Sequence, residues 1–506
     1  MRQIVSSTNL DRRVFVIVLT AVFILPTASE ATANETLQEP IMRVVDLNVG
    51  ETRTMTLADD SEATVTLRAV RARRDNFRGA VRDAEVDVEV NGQTVTLPSA
   101  GYHLPQRVAG VRIDCAIVRS YLQDHARRGN PWGLDADARL RLWPEEGPLV
   151  APEFRYPVRL RWFASDTQMA NVPVFVDRGE CPLPFDRPVY YHSSLDFGGV
   201  EGDVEVLAAT DGIVVSVGDE RLDDIGPSSP RYDAINVRDA RGWHYRYSHL
   251  ISIDPSVRLG EPVRAGQLIG ILGKEGHSGG WAHLHFGIAT RQASGQWGQI
   301  EPYAFIWEAY QREHAPELIA VARPHHVAWA GETVTLDASR SWSADGAIER
   351  YEWTFTDGTT AQGPRVERAY PEAGAYSEIL KVTDAAGRVA YDFAVVQVAD
   401  REHPGRCFPT LHIAYSPTVE VRPGEPITFK GRAFGTTEGV ETWDFGDGSA
   451  TVETQSDGNV QRLNPDGYAI TTHTFARPGD YIVTVQRTDE HGATATSRLW
   501  VPVREP

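Results

Sequence analysis

The chain has 506 residues, 42% of them apolar, and a formal net charge of −19. That length points to about three to five domains of ordinary size, and the apolar content is enough to give each a packed core. The acidic balance argues against nucleic acid as a partner, because binding it needs a basic footprint.

Residues 1–33 read as an export signal. Arg2, Arg12 and Arg13 make a basic start, and Val14 to Leu25 is an unbroken run of apolar residues and Thr. That run is too short to span a bilayer unaided. Ala31-Thr32-Ala33 then offers the small-x-small pattern that a signal peptidase cuts. No Cys follows the run to carry a lipid, and no later segment approaches transmembrane length. The expectation is an exported protein, periplasmic or extracellular, with no stable membrane insertion. Cys115 and Cys181 could pair in an oxidising compartment, whereas Cys407 falls in a linker. Cysteine count and spacing exclude a Cys–Cys zinc site.

Residues 34–181 are expected to form a β-rich accessory domain. Glu85-Val-Asp-Val-Glu-Val90 alternates acidic and apolar residues, and Asn91-Gly92 turns the chain into Thr94-Val-Thr-Leu97. This is the pattern of a half-buried β-hairpin. A short helix is placed between Cys115 and Arg128.

Residues 182–315 read as a compact antiparallel sheet with little room for helices. Val206 to Val214 is a strand broken by Asp211-Gly212, and Gly260, Gly266, Gly270 and Gly273 punctuate short apolar strands. Asp219 to Tyr232 is expected to be a surface loop. Three fragments in this domain carry chemistry: His192-Ser-Ser-Leu-Asp196, Tyr247-Ser-His-Leu250 and His283-Leu-His-Phe286. In extended chain, side chains two or four apart share a face. His192 can therefore converge with Asp196, and His283 and His285 share a face opposite Leu284. Two ligands from one segment and one from another leave a position open for water, as catalytic zinc requires. Imidazole ligands favour zinc over magnesium or calcium. Two spare imidazoles remain to handle protons. Tyr190, Tyr191 and Tyr247 are read as packing, and His244 and His277 as surface or loop residues.

The second half contains a repeat. Trp353-Thr-Phe-Thr-Asp-Gly358 is followed by Pro371 to Tyr376 and by Val382 to Gly387. Trp443-Asp-Phe-Gly-Asp-Gly448 is followed by Pro478 to Tyr481 and by Thr488 to Gly492. In each copy Trp and Phe, two apart, face one side of a strand and Asp-Gly closes a hairpin, which suits a seven-strand sandwich. These repeats resemble polycystic-kidney-disease (PKD) domains; the second carries the Trp-Asp-Phe-Gly-Asp-Gly motif intact and the first departs at two positions. The boundaries are 316–399 and 417–506, with 400–416 as a linker. The resemblance implies a spacer or a module binding a cell-surface protein or polysaccharide, with no catalytic role.

The central fragments together resemble the lysostaphin-type zinc metallopeptidases, which include glycyl-glycine endopeptidases and β-lytic enzymes. The match runs from Arg187 to about Tyr303. It includes Val206 to Val214 and the glycine ladder Ala265-Gly-Gln-Leu-Ile-Gly270. Carried over, the resemblance makes His192, Asp196 and His285 the ligands of one zinc ion per chain, and His249 and His283 the catalytic pair. Ser194 replaces the usual glycine, Trp281-Ala282 replaces the usual proline, and the loop from Gly276 to Trp281 is slightly longer. The whole chain is thus expected to be mainly β and multidomain: a β-rich domain, an antiparallel metallopeptidase domain and two immunoglobulin-like sandwiches. The implied activity is hydrolysis of peptide bonds in peptidoglycan stems or cross-bridges. Extracellular protein is the alternative substrate, and a non-catalytic wall-binding scaffold is a further alternative.

Overall fold

The computed structural model describes residues 41–77, 79–99, 101–124, 129–165, 191–223, 226–227, 229–404, 406 and 408–505. Residues 1–33, read above as an export signal, and Cys181, Tyr190 and Cys407 lie outside them. The chain is mainly β, with several antiparallel sheets and two immunoglobulin-like sandwiches at its C-terminal end. Among the described residues no helix is long and apolar enough to cross a membrane.

The first part holds two four-stranded sheets. One contains the predicted hairpin, Val81–Val90 paired with Gln93–Ser99. Ala84, Val86, Val88 and Val90 point inward, while Glu85 and Asp87 face outward and pair with Arg71. Asn91 and Gly92 both take positive φ, 47° and 84°, as a two-residue turn of this hand demands. One short helix, Arg119–Asp124, lies within the predicted stretch. Cys115 is a buried free thiol, and burial raises its pKa to about 12. Residues 149–163 then strap across the next domain: Leu149, Phe154, Tyr156, Val158, Leu160 and Trp162 share one core with Phe197, Val206 and Phe286.

The central domain is built on the strand His283–Arg291. The strand His244–Ser248 runs along one edge, and Leu195–Gly198 followed by Trp297–Ile300 along the other. A smaller sheet orders Glu205–Leu207, Leu268–Leu272 and Leu250–Ile253. The expectation of little room for helices is corrected by Tyr303–His314. Its Tyr303, Ala304, Phe305, Ile306, Trp307, Ala309 and Tyr310 are all buried. No side chain caps its start. Burial stabilises this helix, whose first five residues are all apolar or aromatic and whose polar residues, from Glu308 on, are confined to its later turns. His244 also differs from its reading. It is buried in its strand, with its ring edge-on to Trp297 at 5.0 Å.

Each sandwich centres on its repeat motif. Trp353 and Phe355 in the first, and Trp443 and Phe445 in the second, are buried in their respective cores. Part of the expected linker is a strand: Thr410–Ser416 pairs along its whole length with Ile427–Phe434. The charges and prolines that mark a linker end before it, and Leu411, Ile413 and Tyr415 are core residues. The two sandwiches also share a sheet. Gly374 and Ala375 pair in parallel with Thr494 and Ala495. A Cβ on Gly374 would lie 2.6 Å from the Thr494 carbonyl oxygen, so only glycine permits the approach.

Candidate metal centre

The strand register assembles the site. Asp196 stands directly opposite His285, and His285 directly opposite Ser248, so three neighbouring strands deliver their polar ends to one point. Leu284 and Phe286 face the other way into the core, which fixes the face that His283 and His285 share. Ser194 is buried against Gly287, where a Cβ would lie 2.8 Å from its Oγ.

His192, Asp196 and His285 each offer one ligand atom, and these lie within 4.8 Å of one another. His192 Nε2 is 2.9 Å from His285 Nδ1 and 3.3 Å from Asp196 Oδ1, and His285 Nδ1 is 3.0 Å from Asp196 Oδ1. Burial depresses His285 to about 4 and His283 well below the usual imidazole range. Burial alone would raise the Asp196 carboxyl; the His192 and His283 rings and hydrogen bonds from His192 and His285 outweigh it and hold it low. The donor set at neutral pH therefore includes an ionised carboxylate and lone-pair nitrogens, which is the form a divalent cation with borderline-soft preferences takes. The residues fit zinc.

His249 and His283 stand beside this trio, their ring centroids 4.6 Å apart. His283 Nε2 is 3.7 Å from Asp196 Oδ2. Each ring is pinned from behind by a backbone carbonyl. His283 Nδ1 donates to Trp281 O at 3.1 Å, and His249 Nδ1 donates to Glu275 O at 2.6 Å. Both Nε2 atoms are thereby left as lone-pair acceptors. His249 has a left-handed backbone, φ 70°, an arrangement that disfavours side chains. Its N–H donates to Asp233 Oδ2 at 2.9 Å, which holds that turn.

All five predicted site residues thus come together. Tyr191 and Tyr247 do not join them. Their hydroxyls accept from Val81 N and Ala209 N, and both are buried. His277 is exposed in its loop. Three contributors escaped sequence reasoning. Asp233 lies 3.5 Å from His249 Nδ1 and forms a bidentate pair with Arg231. Burial would raise its carboxyl, but His249 and Arg231 hold it far below the usual range. Strand pairing of Ile235 with Tyr247, continued two residues outward, sets Asp233 opposite His249, a register that only the folded sheet reveals. Trp281 is the third, its ring stacked flat on His283 at 3.6 Å and 15°.

Residues 190–296 match the sequence model described as Peptidase family M23. Residues 314–398 and 410–500 each match a model described as PKD domain. Among solved structures, the catalytic domain of the antimicrobial peptidase lysostaphin from Staphylococcus simulans is 27% identical. That alignment covers 26% of this chain and 87% of that one, with a TM-score of 0.19. Full lysostaphin is 18% identical over 46% of this chain and 92% of its own, TM-score 0.20. The PKD1 domain of the Vibrio cholerae metalloprotease PrtV is 27% identical over 16% of this chain and 93% of its own, TM-score 0.14.

Proposed function

We propose that this chain, which carries a metallopeptidase domain of family M23 followed by two PKD domains, is an exported zinc endopeptidase. Its substrate on this reading is peptidoglycan, cut at peptide bonds in stems or cross-bridges. The observation that carries the reading is the convergence of His192, Asp196 and His285 beside His249 and His283. His192, Asp196 and His285 would hold the metal. When bound, zinc supplies Lewis acidity, activating a water and polarising the scissile carbonyl.

The protein's own groups then divide the proton work. His249 accepts a proton at Nε2, its ring oriented for this by the Glu275 carbonyl and the Asp233 carboxylate behind it. It returns that proton to the leaving amine. His283, held by Trp281 in front and behind, presents its Nε2 lone pair at a fixed angle as a second hydrogen-bond acceptor beside His249. Arg231 neutralises Asp233, which keeps that carboxylate ionised without adding net negative charge to the groove.

Release of soluble peptides from purified cell walls, with and without chelator, tests the proposal. The native chain should digest walls and lose activity on chelation, and His285→Ala should be inert. Digestion indifferent to chelation or to His285→Ala would sink it. Casein and elastin as parallel substrates separate wall peptides from extracellular protein.

A further inference from the structure

The second sandwich is fastened to the loop that leads into His283, and four consecutive residues of that loop receive a contact from it. Asn459 Nδ2 donates to Gly279 O at 3.1 Å, and Arg432 Nη1 donates to Gly280 O at 2.5 Å. His412 sets its ring edge-on to Trp281 at 5.3 Å. Ala282 N donates to the Tyr468 hydroxyl at 2.8 Å. That hydroxyl also lies 2.8 Å from His412 Nδ1, within hydrogen-bond distance. Behind them Arg432 is wholly buried, bidentate to Asp457 and bonded to Gln461 O and Arg462 O. Lys430 Nζ adds a bond to Glu201 O at 2.8 Å.

Packing alone would bring apolar surfaces together. Here polar groups of the sandwich bond three backbone groups of one short segment, Gly279 O, Gly280 O and Ala282 N, and the two buried bonds would be costly to leave unmade. The segment is also the one that sets His283. Trp281 both covers the His283 ring and offers the carbonyl that fixes its Nδ1. Tyr468 holds the next amide along. The sequence departures noted above, Trp281-Ala282 and the longer preceding loop, are the residues that receive the sandwich.

We propose that the second sandwich is a working wall of the active site and that Tyr468 is a positioning residue for His283, acting through Ala282 and Trp281. This rests on the reading of His283 as part of the peptidase machinery. The test compares the full native chain with Tyr468→Phe, which keeps the buried ring and removes only the hydroxyl. Turnover of cell-wall peptide should fall about tenfold with KM within about twofold of native, and Tm should fall by a few degrees because the buried Ala282 N–H loses its acceptor. Backbone amide hydrogen exchange over 276–284 should quicken. Asn459→Ala, on the loop's other tie, should move both readouts the same way to a smaller degree, and serves if Tyr468→Phe folds poorly. Native kcat and unchanged exchange in both variants would overturn the proposal. So would a drop in stability with kcat and exchange unaltered, since that marks a merely structural contact. If the native chain digests nothing, the peptidase reading fails separately, and exchange alone still decides whether Tyr468 orders the loop.

Discussion

Gly273 sits between the segments that carry His249 and His283, and adding one methyl group there makes a sharp test of the site's geometry. Its carbonyl accepts the His283 N–H at 3.0 Å. A Cβ at this position would lie 2.5 Å from Ile251 N, 2.8 Å from Ile251 Cβ and 2.9 Å from His249 O. Ordinary contacts begin near 3.4 Å, so backbone on both sides must move by roughly 0.5–1 Å, and none of these atoms ends a flexible side chain. Overpacking of this kind costs about 1–3 kcal/mol, offset by about 0.4–1 kcal/mol from the stiffer unfolded chain. The expected net for Gly273→Ala is a loss of about 1–2 kcal/mol, read as a fall in Tm of about 2–8 °C. The same shift displaces His249 relative to His283, and a misplacement near 1 Å can lower turnover about a hundredfold. Gly295→Ala provides the contrast: φ is 78° and nothing lies within 4 Å of the added carbon. It should cost about 1 kcal/mol in backbone strain and leave turnover alone. Calorimetry and steady-state kinetics on both variants decide the matter. Native Tm and turnover in Gly273→Ala would refute the argument that these backbones are fixed.

Asp233→Asn should lower turnover about 10- to 100-fold with bound metal unchanged, measured by kinetics beside elemental analysis, because it removes the charge backing His249. Acid should destabilise the fold. Burial depresses His412 to about 3 and His244 to about 4, whereas the unfolded chain takes up these protons near 6.5. Their contribution is therefore complete above about pH 6.5 and is lost as pH falls toward the folded values, at up to about 1.4 kcal/mol per pH unit for each. Thermal melts at pH 7 and pH 5 should separate clearly, and less so in His412→Gln; coincident melts would contradict the assignment. Zinc added to metal-stripped protein should raise Tm, by the equivalent of about 2.7 kcal/mol at a hundredfold excess over Kd. In His285→Ala, which retains only two of the three ligands, that rise should largely vanish.

The face shared by His283 and His285, with Leu284 opposite, was legible because extended chain has a strict period of two. The choice of His192, Asp196 and His285 as a metal trio came instead from the resemblance of the three fragments to lysostaphin-type metallopeptidases. The repeat motifs were legible for a related reason, since Trp and Phe two apart define the inner face of a strand. Asp233 was not, because its place depends on the register of two strands whose pairing no local pattern states. The helix Tyr303–His314 was hidden because its opening run Tyr303 to Trp307 is apolar without a break and so shows no 3.6-residue period. His244 misled because a histidine between a surface-like turn and a strand has no alternation to place it. Nor could Tyr468 be found from sequence: 186 residues separate it from Ala282. Nothing in a tyrosine near an Asp-Gly turn says which distant amide it will hold.

The parallel pairing of Gly374 and Ala375 with Thr494 and Ala495 has a mechanical consequence. The second sandwich is in turn tied to the loop before His283 by buried hydrogen bonds. A pull applied to the outermost strands of that sandwich would therefore travel through backbone hydrogen bonds to the segment holding the His283 ring, with no slack to absorb it.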